Sequence, residues 1–418
     1  MIPPEFTKGG YRMDEKQLFA MALGLSDPWY IERIEFDPGK KRLDLHLAFK
    51  KGTRFPCPEC DGGELCPVHD TKERTWRHLD FFQHQAYLTA KVPRVTCSSH
   101  GVHQVMVPWA RAGSGFTLLF EALALCLAKE MTVAGLAEAM SCGQAVLWRI
   151  LARYVDETVA GEDYSGLQAV GVDECSKRRG HQYITTFCDL DASRVVHVEE
   201  GRDHKVFDGF LRFLENHGVP RSQVTELCMD MWEPYMKGAQ KNLPNAEVTF
   251  DRYHVMVLMN RAVDLVRRSE AKNKWLRGAR FLLLKNPETL NERQRYHLEL
   301  IKSLDSKTAR AYHIKLALRR LWEQPNPEAA EKYLRQWYFW ATHSRLEPVI
   351  NVARTIKRHW HGVLRFFTSR ITSGIVEGLN SKIKTAMKRA YGFKSFVYLR
   401  TIIYLIAGKL NFNLPTQC

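Results

Sequence analysis

At 418 residues the chain is too long for one compact core, and a hydrophobic content of 45% excludes general disorder. Its 61 Lys and Arg against 46 Asp and Glu leave a formal charge of +15, the balance of a folded protein with a polyanionic partner, nucleic acid ahead of a membrane surface. The apolar run Thr401–Gly408 is far too short to span a bilayer, so no membrane partner is expected.

Residues 1–12 contain no apolar leader segment and read as an expression scar or a disordered stretch before a natural start at Met13. Ten cysteines without a secretory signal predict reduced thiols in a cytoplasmic compartment, not a disulfide framework. Ile31, Ile34 and Phe36, then Leu43, Leu45, Leu47 and Phe49, flank Asp37-Pro-Gly-Lys-Lys, the pattern of a β-hairpin. Next come Cys57-Pro-Glu-Cys60, a polar stretch, a strand over Tyr87–Val95, and Cys97-Ser-Ser-His100. C-x2-C followed by C-x2-H is the spacing of two zinc knuckles. Cys57, Cys60, Cys97 and His100 are therefore expected to hold a structural Zn²⁺ in a closed site of three thiolates and one imidazole. Cys66 and His69 share the C-x2-H spacing, so the ligand choice stays open. A β-module over residues 13–110 has too thin a core to stand without such a staple.

Residues 111–160 turn helical. Phe116–Glu130 is one apolar-periodic helix; Val133–Met140, the turn Ser141-Cys-Gly143, and Gln144–Tyr154 then read as helix, tight turn, helix. This is helix-turn-helix grammar, with Gln144, Trp148, Arg149 and Arg153 on the second helix, although many helical hairpins share it without touching DNA.

From 165 to 252 strands dominate: Ala169–Asp173, Gln182–Asp189 and Arg194–Glu199, a helix over Lys205–Asn216, the strand Val224–Asp230, a helix from Tyr235 to Lys241, and the strand Ala246–Phe250. Strand-strand-strand-helix-strand-helix is the order of a ribonuclease-H-like fold. Residues 253–370 are nearly pure helix. A structureless loop of that length is implausible, so they form a helical insertion, after which 371–418 return the chain to the sheet. The fold class is multidomain α/β: a zinc-binding β-module, a helix-turn-helix, and a mixed sheet interrupted by an all-helical insertion.

The span Asn351–Cys418 holds twelve Lys and Arg and one carboxylate, Glu377. On a helix Glu377, Asn380, Ser381, Lys384 and Lys388 share one face. An isolated surface ion pair is the ordinary explanation for such an acid. Asp173 and Asp230, each closing a strand-like run, suggest a different one. In a ribonuclease-H-like fold their strands are neighbours, and Glu377 would reach them from a helix. Three carboxylates at about 4 Å must protonate or share a cation, and oxygen-only ligands suit Mg²⁺ or Mn²⁺. Glu174 would point away from Asp173 on the same strand. Asp251 reads as a helix N-cap, and Asp189 and Asp191 as turn residues.

The chain resembles the bacterial DDE insertion-sequence transposases of the ISL3 group along nearly its whole length. The resemblance is carried by Cys57-Pro-Glu-Cys60, Trp76-Arg-His-Leu-Asp80, Pro108-Trp-Ala110, Gly171-Val-Asp-Glu174, Met229-Asp230, Asp251-Arg-Tyr-His254, Ser373-Gly-Ile-Val-Glu-Gly-Leu-Asn-Ser-Lys-Ile-Lys384 and Arg389-Ala-Tyr-Gly-Phe393. It implies that Asp173, Asp230 and Glu377 are the metal-binding DDE triad, and that the zinc module and helix-turn-helix read the element's terminal inverted repeats. It further implies double-stranded DNA as partner, both element ends and target, with a homodimer or larger assembly on DNA in the bacterial nucleoid. Gln144, Arg149, Arg153, Asn380, Lys382, Lys384, Lys388 and Arg389 are the expected DNA contacts. The second knuckle ends in His100 where such fingers more often carry Cys, an exchange zinc tolerates. Two other readings share these features: a catalytically inactive DNA-binding regulator, against which all three carboxylates count, and a structure-selective nuclease without preference for particular ends.

Overall fold

The computed structural model describes residues 14–60, 63–178, 182–270, 272, 274–304 and 306–414, so the scar expected over 1–12 lies outside the described residues. Two compact units are present, residues 14–154 with 411–414, and residues 155–410.

In the first unit α1 (Glu15–Ala22) starts on a capping box between Asp14 and Gln17. β1 (Trp29–Asp37) and β2 (Arg42–Phe49) form the hairpin expected from their alternation. β3 (Phe55–Pro56) and β4 (Leu65–Cys66) make a small separate ladder. β5 (Val68–Arg77), β6 (Gln85–Cys97) and β7 (Gly101–Gln104) complete the larger sheet in the order β1-β2-β6-β5, with β7 also on β6. Leu43, Leu45 and Leu47 of β2 and Leu88, Ala90 and Val92 of β6 face one core with Trp29, Trp76 and Trp109. β5 occupies what the sequence presents as a polar stretch. Along most of it side chains stay in solvent, and only Trp76 and Arg77 at its end are buried. Buried Arg77 pairs with Asp80.

α2 (Leu118–Glu130) and α3 (Val133–Ala139) start on Thr117 and Thr132, whose hydroxyls accept from Phe120 and Gly135 N–H. Ser141, at φ +48°, turns the chain into α4 (Gln144–Gly161), giving the expected helix-turn-helix. Buried Glu121 of α2 accepts hydrogen bonds from Tyr154 of α4 at 2.8 Å and from Ser114 at 2.7 Å, which fixes the two helices against each other. Eight cysteines of the described residues are free thiols, whereas Cys126 on α2 is disulfide-bonded, a departure from the all-thiol expectation.

The second unit is built on β8 (Ala169–Arg178), β9 (Gln182–Asp189), β10 (Arg194–Glu200), β11 (Glu226–Met229) and β12 (Glu247–Phe250), in the order β10-β9-β8-β11-β12. The first three strands form an antiparallel meander, and β11 and β12 run parallel to β8. α5 (Val206–Asn216) and α6 (Glu233–Asn242) are the crossovers such parallel neighbours require. This is the ribonuclease-H-like mixed sheet read from the order of elements. Asp189 closes the β9–β10 turn by accepting from Asp191 and Ala192 N–H. Phe187, Phe207, Phe210, Leu227 and Met229 are fully buried and belong to a core that continues into the insertion.

The insertion comprises α7 (Arg252–Ser269), α8 (Arg280–Leu284), α9 (Glu292–Ser303), α10 (Lys307–Arg319), α11 (Pro327–Thr342), α12 (Glu347–Arg358) and α13 (Trp360–Ser369). Lys315 is buried at the junction of α10 and α8, donating to the Leu283 and Leu284 carbonyls at 2.6 and 3.2 Å, and burial pushes its pKa down to about 8. α14 (Gly374–Arg389) and α15 (Phe396–Ala407) then return to the sheet, α15 through Tyr404, whose hydroxyl donates to the Val196 carbonyl of β10 at 3.1 Å. No helix among the described residues is long and apolar enough to cross a membrane.

The approach of α14 to β8 depends on one missing atom. A Cβ at Gly171 would lie 2.3 Å from Val376 Cγ2 and 2.8 Å from Leu190 Cδ2. Gly171→Ala is expected to cost about 1–3 kcal/mol by overpacking, seen as a lower melting temperature. Adding Val376→Ala should recover most of that loss; a double variant no more stable than Gly171→Ala contradicts the contact.

Candidate functional site

Parallel pairing sets which acids meet. β8 and β11 pair Gly171 with Cys228, so two residues further on Asp230 lies opposite Asp173. β11 and β12 pair Met229 with Phe250, which brings Asp251 beside Asp230. β11 and β12 thus end in Asp230 and Asp251 beside Asp173, which lies midway along β8, a strand that runs on past them to Arg178 and not the run ending at Asp173 that the sequence suggests. Asp173 Oδ1 accepts the Glu174 N–H at 2.7 Å, and Oδ2 accepts the Asn380 side-chain amide at 2.7 Å. Burial pushes the Asp173 carboxyl above the usual carboxylate range; the Glu174 N–H, the charges of His254 and Lys384 and the Asn380 bond pull against it. Glu174 points the other way, toward Arg202 at 3.5 Å, as strand alternation requires.

His254, in the first turn of α7, stands between the two other acids. Its Nδ1 is 3.3 Å from Asp230 Oδ2 and its Nε2 is 4.0 Å from Asp251 Oδ2. Burial opposes a charge on this ring, but the hydrogen bond to Asp230 and the charges of Asp230, Asp173 and Asp251 carry its pKa above the ordinary histidine value. Asp251 caps α7 by accepting the Tyr253 N–H at 3.2 Å, the role expected of it. Its other oxygen is buried with no hydrogen-bond partner, which leaves an acceptor facing this cluster.

Glu377 is exposed, one turn into α14, and accepts from the Ser373 hydroxyl at 3.2 Å. Together with Asp251, Arg252, Asn260 and Arg319 it lines a groove of about 620 Å³ between α14 and the insertion. The oxygens of Asp173, Asp230 and Glu377 do not converge within 4.8 Å. Asp173 lies on β8 and Asp230 just past the end of the adjacent β11, and Glu377 lies one turn before the Asn380 that holds Asp173.

Asn380 itself differs from its expected place at DNA. It is 2% exposed, with its amide given to Asp173 and its carbonyl accepting from Thr186 at 3.4 Å. The stripe of Glu377, Asn380 and Lys384 twists across the edge of the helix contact, so its middle member is buried. Lys382, Lys384, Lys388 and Arg389 are exposed along α14. His254 was not singled out by sequence reasoning; the spacing Asp251-x-x-His254 at a strand-to-helix junction is the signal that could have found it.

In the first unit the two knuckles converge. Cys60 Sγ lies 3.3 Å from His100 Nδ1 and 3.6 Å from Cys97 Sγ, Cys97 Sγ lies 3.6 Å from His100 Nδ1, and Cys57 Sγ lies 3.9 Å from His100 Nδ1. Those separations lie close to the edges, about 3.5 Å for S–N and about 3.8 Å for S–S, of a tetrahedron with Zn–S near 2.3 Å and Zn–N near 2.0–2.1 Å. N–H groups of Ser99 and His100 point at the Cys97 sulfur and lower its pKa, favouring a thiolate there, while burial and the neighbouring Cys97 and Cys57 sulfurs raise that of Cys60. This Cys/His cluster is consistent with a structural zinc site. Cys66 groups instead with Glu64 and Cys97, and His69 belongs to neither group. On α4, Gln144 and Arg149 are exposed, and Trp148 and Arg153 half-buried.

Known proteins align with each part of this architecture. Residues 170–403, more than half of the chain, match the DDE model of the ISL3 family, described as a transposase. Residues 105–155 match the helix-turn-helix domain of transposase family ISL3, and 53–100 match the zinc-finger of transposase IS204/IS1001/IS1096/IS1165. The transposase for insertion sequence element IS1557 of Mycobacterium tuberculosis is 29% identical, over 92% of this chain and 93% of its own. The transposase for insertion sequence element IS1001 of Bordetella parapertussis is 25% identical, over 90% of this chain and 95% of its own. The solved Drosophila P element transposase strand transfer complex aligns at 12% identity with a TM-score of 0.39, over 70% of this chain and 92% of that one, a likeness on which no argument rests.

Purified chain is expected to carry one zinc per molecule by elemental analysis, lost in Cys97→Ser. Stripping it with a chelator should lower the first unfolding transition. Zinc-free protein that melts unchanged in chelator contradicts the site.

Proposed function

The chain belongs to the ISL3 family of DDE transposases, and from that premise we propose that it binds the terminal inverted repeats of an insertion sequence, cuts there and joins the freed ends to target DNA. Asp173, Asp230 and Glu377 are the proposed triad. The observation that carries this is the register of β8 and β11, which aligns Asp173 with Asp230 at one sheet edge, one helical turn from Glu377 across the Asn380 bond.

The donor set fits a hard divalent cation. It is all carboxylate oxygen, and Asp173 is a half-buried acid whose raised pKa a neighbouring cation would reverse. Mg²⁺ or Mn²⁺ held by Asp173, Asp230 and Glu377 would supply Lewis-acid stabilisation of the attacking and leaving oxygens. The rest belongs to the side chains. Asn380 fixes the rotamer of Asp173, His254 holds Asp230, and Lys384 places positive charge toward a phosphate. In the first reaction water attacks the phosphorus at an element end and the 3′-oxygen leaves as a hydroxyl. In the second that hydroxyl attacks a target phosphodiester, and the displaced target strand leaves. Both are in-line displacements, and no covalent bond to protein forms.

The zinc module and α4, through Gln144, Arg149 and Arg153, read the end sequence in this account. The exposed cations Lys382, Lys384, Lys388 and Arg389 hold the DNA backbone, and the insertion clamps the end or builds the homodimer or larger assembly that pairing two ends requires. Such a protein works in the cytoplasm, on the bacterial nucleoid. An inactive regulator would bind ends without cutting, and a structure-selective nuclease would cut regardless of end sequence.

Mn²⁺-dependent cleavage of DNA carrying the element's ends is expected from the native chain and not from Glu377→Gln, with binding retained in the same samples. Equal cutting by both removes Glu377 from the triad, and binding without cutting by the native chain supports the regulator. Lys384→Ala should weaken binding across sequences and lower the salt dependence by about one charge; an unchanged slope contradicts that contact.

A further inference from the structure

Where α14 ends, the chain makes an unusual choice. The Gly392 N–H bonds the Met387 carbonyl at 3.0 Å and the Tyr391 N–H bonds the Lys388 carbonyl at 3.1 Å, the paired bonds of a Schellman cap. Such a cap needs a left-handed residue at the position Tyr391 occupies, and that position ordinarily takes glycine. Here the glycine comes one residue late. Tyr391 takes φ +52° and Gly392 φ +96°. A left-handed tyrosine costs about 1–2 kcal/mol relative to glycine, and a packed ring could offset it. This ring is 100% exposed and packs on nothing. The cap is firmly set all the same, because Phe393 two residues on is buried at 9% exposure. A rigid turn therefore holds a bare aromatic ring out into solvent.

Its surroundings are cationic. Lys388, Arg389 and Lys394 flank it and are exposed, and no Asp or Glu follows Glu377 in the chain. Lys384 and Lys382 extend the positive strip back along α14. Glu200 lines a cavity with Phe393 and Lys394 and pairs with Lys177, but Lys388, Arg389 and Lys394 outnumber it, and exposed apolar area among such cations does not suit a lipid-like or purely apolar partner. It suits a strand that brings phosphates and flat aromatic faces together.

Resting on the DNA-processing reading above, we propose that Tyr391 is a stacking platform for an unpaired base of a DNA strand whose phosphates lie along Lys384, Lys388 and Lys394. Twelve residues of α14 follow Glu377 before the cap that holds Tyr391, about 18 Å at 1.5 Å per residue, so the ring lies several nucleotides from the acid. The ring reads single-stranded or unstacked DNA near the cut, not the sequence of the intact duplex.

The test uses the full chain with a mixed-sequence single-stranded 30-nucleotide probe and the same sequence as duplex, by fluorescence anisotropy. Tyr391→Gly removes the ring and suits the left-handed backbone, so its melting temperature should not fall. It should weaken single-strand binding roughly tenfold, within the range for losing one stacked base, and leave duplex binding within about twofold. Tyr391→Phe should bind like the native chain. Unchanged single-strand binding by Tyr391→Gly overturns the proposal. So does equal loss in the glycine and phenylalanine variants, which would assign the effect to the hydroxyl. A change in sedimentation of DNA-free Tyr391→Gly, with single-strand binding intact, assigns the ring to a protein contact and also overturns it. A native chain that binds neither probe fails the DNA-processing reading itself, whatever Tyr391 does.

Discussion

Helix α14 can lie on strand β8 only because residue 171 has no side chain. Val376 occupies the space a Cβ would fill, and Leu190 closes the other side. From that contact the positions of the functional groups follow. Val376 adjoins Glu377; four residues on, Asn380 reaches over the sheet and donates to Asp173. Close packing tolerates little adjustment at such a point. A shift of the helix large enough to admit one methyl group would lengthen the Asn380 bond and carry Glu377 away from Asp173 together.

The electrostatics of the sheet edge depend on the same geometry. Asp251 is buried and Asp173 half-buried, and Asp230 is their neighbour across two parallel pairings. Packing acids this closely raises the free energy of their charged forms. The protein compensates in part with the Asn380 amide, the Glu174 N–H and the ring of His254, but the buried Oδ2 of Asp251 has only that ring at 4.0 Å and no hydrogen bond. Natural cores rarely leave a carboxylate oxygen so placed without a purpose. Positive charge is instead concentrated on α14 and beyond, the region suited to a phosphate backbone.

Much of this is legible in the residues, for identifiable reasons. The meander and its crossovers announce themselves through alternation and turn chemistry, and the paired knuckles through spacing that few other constraints produce. The helix-turn-helix shows in its turn, where Ser141 and Gly143 interrupt two apolar-periodic segments. What escaped was governed by tertiary context. β5 carries Asp70, Lys72, Glu73 and Arg74 on solvent faces, so its composition imitates a loop while its backbone pairs along β6. Asn380 sits on a stripe that looks wholly polar, and only the docking of α14 shows that the stripe crosses from buried to exposed. His254 gives little signal alone, because its role comes from Asp230, which lies on a different element.

The proposed divalent-cation site is formed by Asp173 on β8 and Asp230 after β11, with Glu377 on α14. The most direct measurement is Mn²⁺ binding to the full chain, followed by electron paramagnetic resonance, for the native protein and for Asp173→Asn. The account predicts saturable binding to the native chain that is lost or greatly weakened in the variant, while the variant's melting temperature and zinc content stay native. Equal Mn²⁺ binding by both would contradict it, and would leave Asp173 a half-buried acid held by Asn380 for packing alone.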